Sequence, residues 1–174
     1  MGKRSRVGCA TSAFSLIEFI LVIALVAFLA LLAISNMGFL QRRIVKAHAE
    51  QLLSTMMYMQ REAMVANAKK NLTFSPSRNQ YSYNQNVVTL PQGVRFGIIA
   101  GVQGPPSLHS KQPQGAVTYQ NQEIVFLPDG KMSAGSVYLT DSNYQVMYAI
   151  TTAVSHISYI RMYVYYRGKW ERIR

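Results

Sequence analysis

Sixteen consecutive apolar residues, Phe19 to Ile34, follow a single acid, Glu18, near the start of the chain. Counted from Phe14 to Ile34 the segment has twenty-one residues, a helical rise of roughly 31 Å that matches the ~30 Å hydrocarbon thickness of a bilayer. Helical periodicity then continues in another form. Val45, Ala49, Leu52, Met56, Met59 and Ala63 recur every three or four positions, while Arg42, Arg43, Lys46, Glu50, Arg61 and Glu62 fall mostly elsewhere. This is the pattern of an amphipathic helix with one buried stripe. The two stretches meet at Ser35-Asn36-Met37-Gly38, where low propensity predicts a bend or a locally melted turn. Met56, Met57, Met59 and Met64 are read as core and not as an adaptable groove.

From Asn71 onward the period becomes two. Leu72 to Phe74, Gln80 to Tyr83, Val87 to Leu90, Val94 to Ile99, Val117 to Tyr119, Glu123 to Leu127, Ser136 to Thr140, Gln145 to Thr151 and Ile157 to Tyr166 are rich in β-branched and aromatic residues and separated by Gly, Pro and Asn. No further long helical pattern interrupts them, which excludes parallel βαβ construction and predicts antiparallel sheets packed on each other and on the helix. Ala100 to Gly115, with three prolines and three glycines, is predicted as a long loop with a mobile or functional role. No internal repeat is present.

Glu18 changes the picture most. A carboxylate in a membrane-length segment costs about 2.5–3.5 kcal/mol at the helix centre and less near an end, so it marks function by default. The run Ala13-Phe14-Ser15-Leu16-Ile17-Glu18, preceded by an acid-free stretch with Lys3, Arg4 and Arg6, resembles the processing motif of type IV prepilins. The resemblance implies that a prepilin peptidase cuts between Ala13 and Phe14 on the cytoplasmic side and methylates the new amine of Phe14. Ala13 replaces the family's usual Gly but keeps a small side chain. Glu18 lies about one helical turn, roughly 6 Å, from that amine. In a filament its carboxylate could meet the Phe14 ammonium of a neighbouring subunit, hiding two charges that are each costly alone.

Three other readings of this end compete. A secretory signal peptide would also begin with basic residues, and Ala33-Ile34-Ser35 resembles a small-x-small cleavage site, but the apolar region exceeds the usual roughly 7 to 15 residues and carries an acid. An uncleaved single-span anchor is the second. A lipoprotein reading of Cys9 fails because nothing apolar precedes it. Charge does not orient the segment, since Lys3, Arg4 and Arg6 balance Arg42, Arg43 and Lys46. The leader does, and it puts everything from about Ser35 outside the cytoplasm.

The predicted organisation is α+β: a basic leader peptide 1–13, a transmembrane segment 14–34, an amphipathic continuation 35–70, and an antiparallel β-sheet or β-sandwich domain 71–174 packed on the long helix, as in pilins. About 140 residues lie beyond the span, enough for one domain with its own core. The only cysteine is Cys9, in the leader, so the mature chain has no disulfide and its stability must come from packing.

A second resemblance covers the β region. Ile124-Val125-Phe126-Leu127-Pro128-Asp129-Gly130, followed by Ser133, Gly135, Ser136, Val137, Tyr138 and Leu139, is similar to the hairpin of the GspH/FimT group of minor pseudopilins and minor pilins. Pro128-Asp129-Gly130 predicts a tight turn between two half-buried strands. On the final strand, Ile160, Met162, Val164 and Tyr166 share a parity and are predicted to face the core. Tyr159, Arg161, Tyr163, Tyr165, Arg167 and Lys169 then fall on the other face. This basic and aromatic stripe is a candidate surface for nucleic acid or for a partner subunit; a solvated sheet face is the plainer alternative.

Removing the three leader positives from the formal +11 leaves +8, which favours anionic partners: lipid head groups, DNA or an acidic neighbour. Nothing points to catalysis. His48, His109 and His156 are scattered without a second ligand at metal-binding spacing, and neither a phosphate loop nor a nucleophile elbow is present. No cofactor and no metal are expected. Asn71-Leu72-Thr73 matches a glycosylation sequon formally only. The resemblances imply a structural subunit and not an enzyme: a minor pseudopilin of type II secretion, held in the inner membrane by a single pass with its C-terminal domain in the periplasm. Its expected partners are the prepilin peptidase, other pilin or pseudopilin subunits and inner-membrane lipid. The alternative is a minor type IV pilin for pilus assembly or DNA uptake.

Overall fold

The structure, a computed structural model, describes residues 15–108, 112–153 and 159–173, with the side chains of 32–39 and 108 outside the description. Two units are distinguished, one ending at Gly38 and one from Phe39 to Arg174. Helix α1, Leu16–Val65, begins in the first and ends in the second. Ser35-Asn36-Met37-Gly38 does not end the helix, contrary to the melted turn predicted there. Among the described residues no helix is long and apolar enough to cross a membrane; the side chains described in the predicted 14–34 span stop at Leu31.

Past Gly38 the helix folds onto the β elements with the stripe predicted for it. Val45, Ala49, Leu52, Met56, Met59 and Ala63 are all fully buried, joined by Leu53. The Met-rich stretch divides: Met56 and Met59 are core, whereas Met57 and Met64 are about half exposed, because positions 57 and 64 fall at the flank of the stripe in a 3.6-residue repeat. Asn67 ends the helix in the left-handed region (φ 45°). The N–H of Ala68 reaches the carbonyl of Ala63 at 3.1 Å and that of Asn67 reaches Met64 at 3.3 Å, a Schellman cap with asparagine in the usual glycine place.

Among the described residues nine antiparallel strands form two sheets. One has the order β3-β2-β1-β5, from β1 (Lys70–Ser75), β2 (Gln80–Tyr83), β3 (Asn86–Thr89) and β5 (Glu123–Phe126). The other has the order β4-β6-β7-β8-β9, from β4 (Val94–Phe96), β6 (Gly135–Asp141), β7 (Met147–Ala153), β8 (Tyr159–Tyr166) and β9 (Lys169–Arg172). The α+β class and the antiparallel pairing match expectation. Two elements do not. Val117–Tyr119 is no strand; Val117 makes an isolated bridge to Val137. Lys169–Arg172 is a strand the pattern did not announce, because it is short, charged and at the sheet edge.

The main core lies where α1 meets the inner faces of both sheets. Leu72, Phe74, Tyr81, Ile124 and Phe126 come from the first sheet, and Val137, Leu139, Tyr148, Ile150 and Met162 from the second. Asn79 links the sheets: its side chain donates to the carbonyl of Val94 (2.7 Å) and accepts from the N–H of Phe96 (3.0 Å). The second sheet is also covered on its outer face. Tyr138, Ala149 and Tyr163, which pair in one row across β6, β7 and β8, pack with Val102, Ile98 and Ile99. The loop predicted as mobile or functional is therefore, up to Leu108, a strap on the sheet. Ile99 N–H points at Met147 Sδ (3.4 Å), Gln103 O accepts from Trp170 Nε1 (2.9 Å), and Ser107 and Thr151 hydroxyls lie 3.3 Å apart. Burial extends to both faces of β6 and β7, whose residues are buried at nearly every position.

The Pro128-Asp129-Gly130 turn is as tight as predicted, but the strands around it part company. Gly130 N–H reaches Leu127 O at 3.0 Å and Leu127 N–H reaches Lys131 O at 2.8 Å. The returning chain pairs with β5 only briefly, through Met132 and Ser133, before β6 joins the other sheet. The motif is a sheet-to-sheet crossing.

Candidate assembly interface

Ala13 and Phe14, the predicted processing residues, lie outside the described residues. Their neighbour Ser15 accepts from the N–H of Glu18 (3.0 Å) and of Phe19 (3.3 Å) at the start of α1. Glu18 is exposed in the first turn, where the helix dipole favours a negative charge. Around it Leu16, Ile17, Phe19, Ile20 and Leu21 are each more than half exposed, and large apolar side chains stay uncovered as far as Leu31. From Leu16 to Leu31 Glu18 is the only charged residue. A surface this apolar requires lipid or other helices around it.

The C-terminal stripe is not assembled as one face. Tyr159 is 38% exposed with the Arg161 guanidinium 4.0 Å above its ring. Tyr163 is only 5% exposed, and Tyr165 packs in the same outer cluster with its ring 5.3 Å from that of Trp170. Both rings belong to the layer under the strap, so neither offers a free stacking platform. Arg167 occupies the turn after β8. Tyr166 pairs with Lys169, and Arg167 (φ 52°) and Gly168 (φ 81°) form the two-residue loop between them, the positive-φ pair of a type I′ hairpin. Cross-strand partners share a face, so Lys169 sides with Tyr166, opposite Tyr165.

Ile160, Met162 and Val164 face the main core as expected. Tyr166, of the same parity, meets the helix instead: the guanidinium of Arg42 lies 4.0 Å over its ring, and Arg167 Nε donates to its hydroxyl at 2.9 Å. Burial raises the pKa of Tyr166, but hydrogen bonds from Arg42 and Arg167 and their charges outweigh it and the net direction is down. The roles of Arg42 and of the Arg167-Gly168 turn were not anticipated. The Arg-Gly dipeptide between two runs is the signal that could have disclosed the turn, and with it β9.

Among the other concave surfaces, a cleft of about 750 Å³ is lined by Gln112, Pro113, Gln114, Gly115, Val117, Thr118 and Tyr138. Its one titratable group among these is the Tyr138 phenol, pushed up to about 12 by burial. At the far end of the buried helix, Lys70 Nζ donates to Glu62 (2.7 Å), as does Asn84 (2.6 Å), and Gln60 donates to the carbonyl of Gly130 (2.8 Å).

Comparison with curated proteins and with solved structures gives no match. The family model of type II transport protein GspH matches residues 48–155, more than half of the 174 residues. The match begins within the buried stripe of α1 and takes in the Pro128-Asp129-Gly130 crossing and Gly135. The chain belongs to the GspH family of type II transport proteins.

Proposed function

We propose that this protein is a minor pseudopilin, a structural subunit of the periplasmic pseudopilus of a type II secretion system. Its synthesis ends with removal of residues 1–13 by a prepilin peptidase and methylation of Phe14. The segment 14–34 then holds it in the inner membrane by a single pass, with the domain in the periplasm, until contacts with other subunits draw it into the filament. The observation that carries this reading is the GspH-family match on a chain whose helix begins with an uncovered apolar surface and one acid, Glu18. Moving that surface from lipid to neighbouring helices gains little hydrophobic free energy, so close packing and a Glu18 to Phe14 ion pair supply the bias.

The test has two parts. Mass measurement of the chain recovered from cells is expected to place the N-terminus at a methylated Phe14. An N-terminus near Asn36 would mean a secretory signal instead. Glu18→Ala is expected to leave cleavage intact and abolish incorporation into filaments; incorporation at the normal level would refute the ion-pair account.

A further inference from the structure

One end of the domain is basic and unneutralised. Val94 pairs with Asp141, Thr140 with Met147, Met147 with Tyr165 and Tyr165 with Trp170. The turns beyond that row, at 91–93, 142–146 and 167–168, therefore lie at the same end of the sheet. The first residues of the domain's helix are there too: Gln41 crowds Gly93 and Arg42 covers Tyr166. Arg95 reaches the same place, donating to Ser142 O (2.8 Å) and Tyr144 Oη (3.2 Å). Arg42, Arg95, Arg167 and Lys169 have no carboxylate partner among the described residues. The nearby Asp141 is buried and accepts from the N–H groups of Gln145 (2.7 Å) and Val146 (3.0 Å), and Glu50 is paired with Lys46. At the other end, by contrast, Glu62 is matched by Lys70 and Asp129 by Lys131.

We propose that Arg42, Arg95, Arg167 and Lys169 form a docking surface for the phosphates of anionic lipid head groups. The proposal rests on the membrane-anchor reading above. Arg42 is eight residues beyond Ile34, a stretch of chain that can span at most about 28 Å. The polar layer on each side of a bilayer is roughly 5–8 Å thick, and screening acts over about 8 Å at physiological salt. Chain length thus tethers these cations near the membrane on the anchor reading, and arginine forks suit phosphate. Lipid fits better than nucleic acid because the aromatic rings among these cations are already capped: Tyr166 by Arg42 at 4.0 Å and Tyr144 by Arg95 at 4.8 Å. One face of each of these two rings is thereby closed to base stacking. The contact would hold the domain down on the membrane before assembly.

The chain has one tryptophan, Trp170, next to Lys169, and its fluorescence reports on this end. Full-length protein is reconstituted in phosphatidylcholine vesicles with or without about 30 mol% phosphatidylglycerol, with a nitroxide on a minority of head groups. Quenching is expected to rise about twofold with the anionic lipid and to lose that increment in about 0.5 M salt. The Arg167→Asn/Lys169→Gln chain, and separately Arg95→Gln, are expected to fall to the phosphatidylcholine level while keeping the near-ultraviolet circular dichroism of the parent. A chain that stays in the vesicles through an alkaline wash yet shows no dependence on anionic lipid overturns the proposal and leaves the anchor standing. Loss from the vesicles in that wash overturns the anchor and this proposal with it. Salt-sensitive capture of duplex DNA, with no response to anionic lipid, reassigns the surface to nucleic acid and overturns it as well.

Discussion

At Gly135 a missing side chain makes room for an aromatic ring. A Cβ built there would lie 2.4 Å from Cδ1 of Tyr119, and Tyr119 cannot retreat because its hydroxyl is 3.0 Å from Thr152 Oγ1. Thr152 has one proton, and its 2.6 Å contact to the carbonyl of Ser133 takes it, so the Tyr119 O–H donates to Thr152. Burial raises the pKa of that phenol strongly, which keeps it a donor. Gly135→Ala should therefore cost about 1–3 kcal/mol and Tyr119→Phe about 1 kcal/mol, read as lower denaturant midpoints with unchanged slope. Glu62 gives the pH counterpart. The hydrogen bond from Lys70 holds its pKa below the ordinary 4.5, so the stabilisation is fully present above that value and disappears as pH falls through the depressed one. Because both side chains are about a quarter exposed, solvent limits the effect to about 1 kcal/mol or less. Glu62→Gln should flatten the acid-side fall of the unfolding midpoint below about pH 4.5 and change little near neutrality. Gly135 stands in the sequence only as one letter of a motif; its reason is the ring of a residue sixteen positions earlier, which no local pattern encodes.

The helix repeats the point at the scale of an element, with a different balance. All six residues assigned to its stripe are buried, because burial on one side of a regular helix leaves a strict period. What periodicity does not encode is which methionines merely neighbour the stripe. Met59→Ala should cost about 2–5 kcal/mol, whereas Met57→Ala should stay within about 0.5 kcal/mol; paired thermal or urea unfolding of the two variants decides it. Strands were legible where β-branched and aromatic residues carry them, and the short, charged β9 was not. β6 and β7, buried on both faces, announced themselves as strands but not that a second layer covers them. That layer comes from Ile98 and Ile99, which read as the end of a strand that in fact stops at Phe96, and from the Gly- and Pro-rich segment 100–108, whose composition reads as loop. For this reason Tyr163 and Tyr165 were assigned to an open face, although their parity on β8 was read correctly.

Over the whole molecule, the family of the β region was legible because contiguous residues carry it. The basic end was not, since it draws Arg42, Arg95 and the Arg167–Lys169 hairpin from three separate stretches of chain. The same geometry has a temporal side. Arg42, at the start of the domain, rests on Tyr166, near its finish, and Ile173 packs against the main core while its N–H bonds Met162 O at 2.9 Å. A chain shortened to end at Tyr166 should expose the β8 edge and the unprotected ring of Tyr165, and should elute as aggregates with raised protease sensitivity. A ribosome making this protein has therefore to extrude the β8–β9 hairpin before the first turns of the domain's helix find their resting partner. Until then the emerging polypeptide carries uncovered apolar surface along that helix, which favours aggregation.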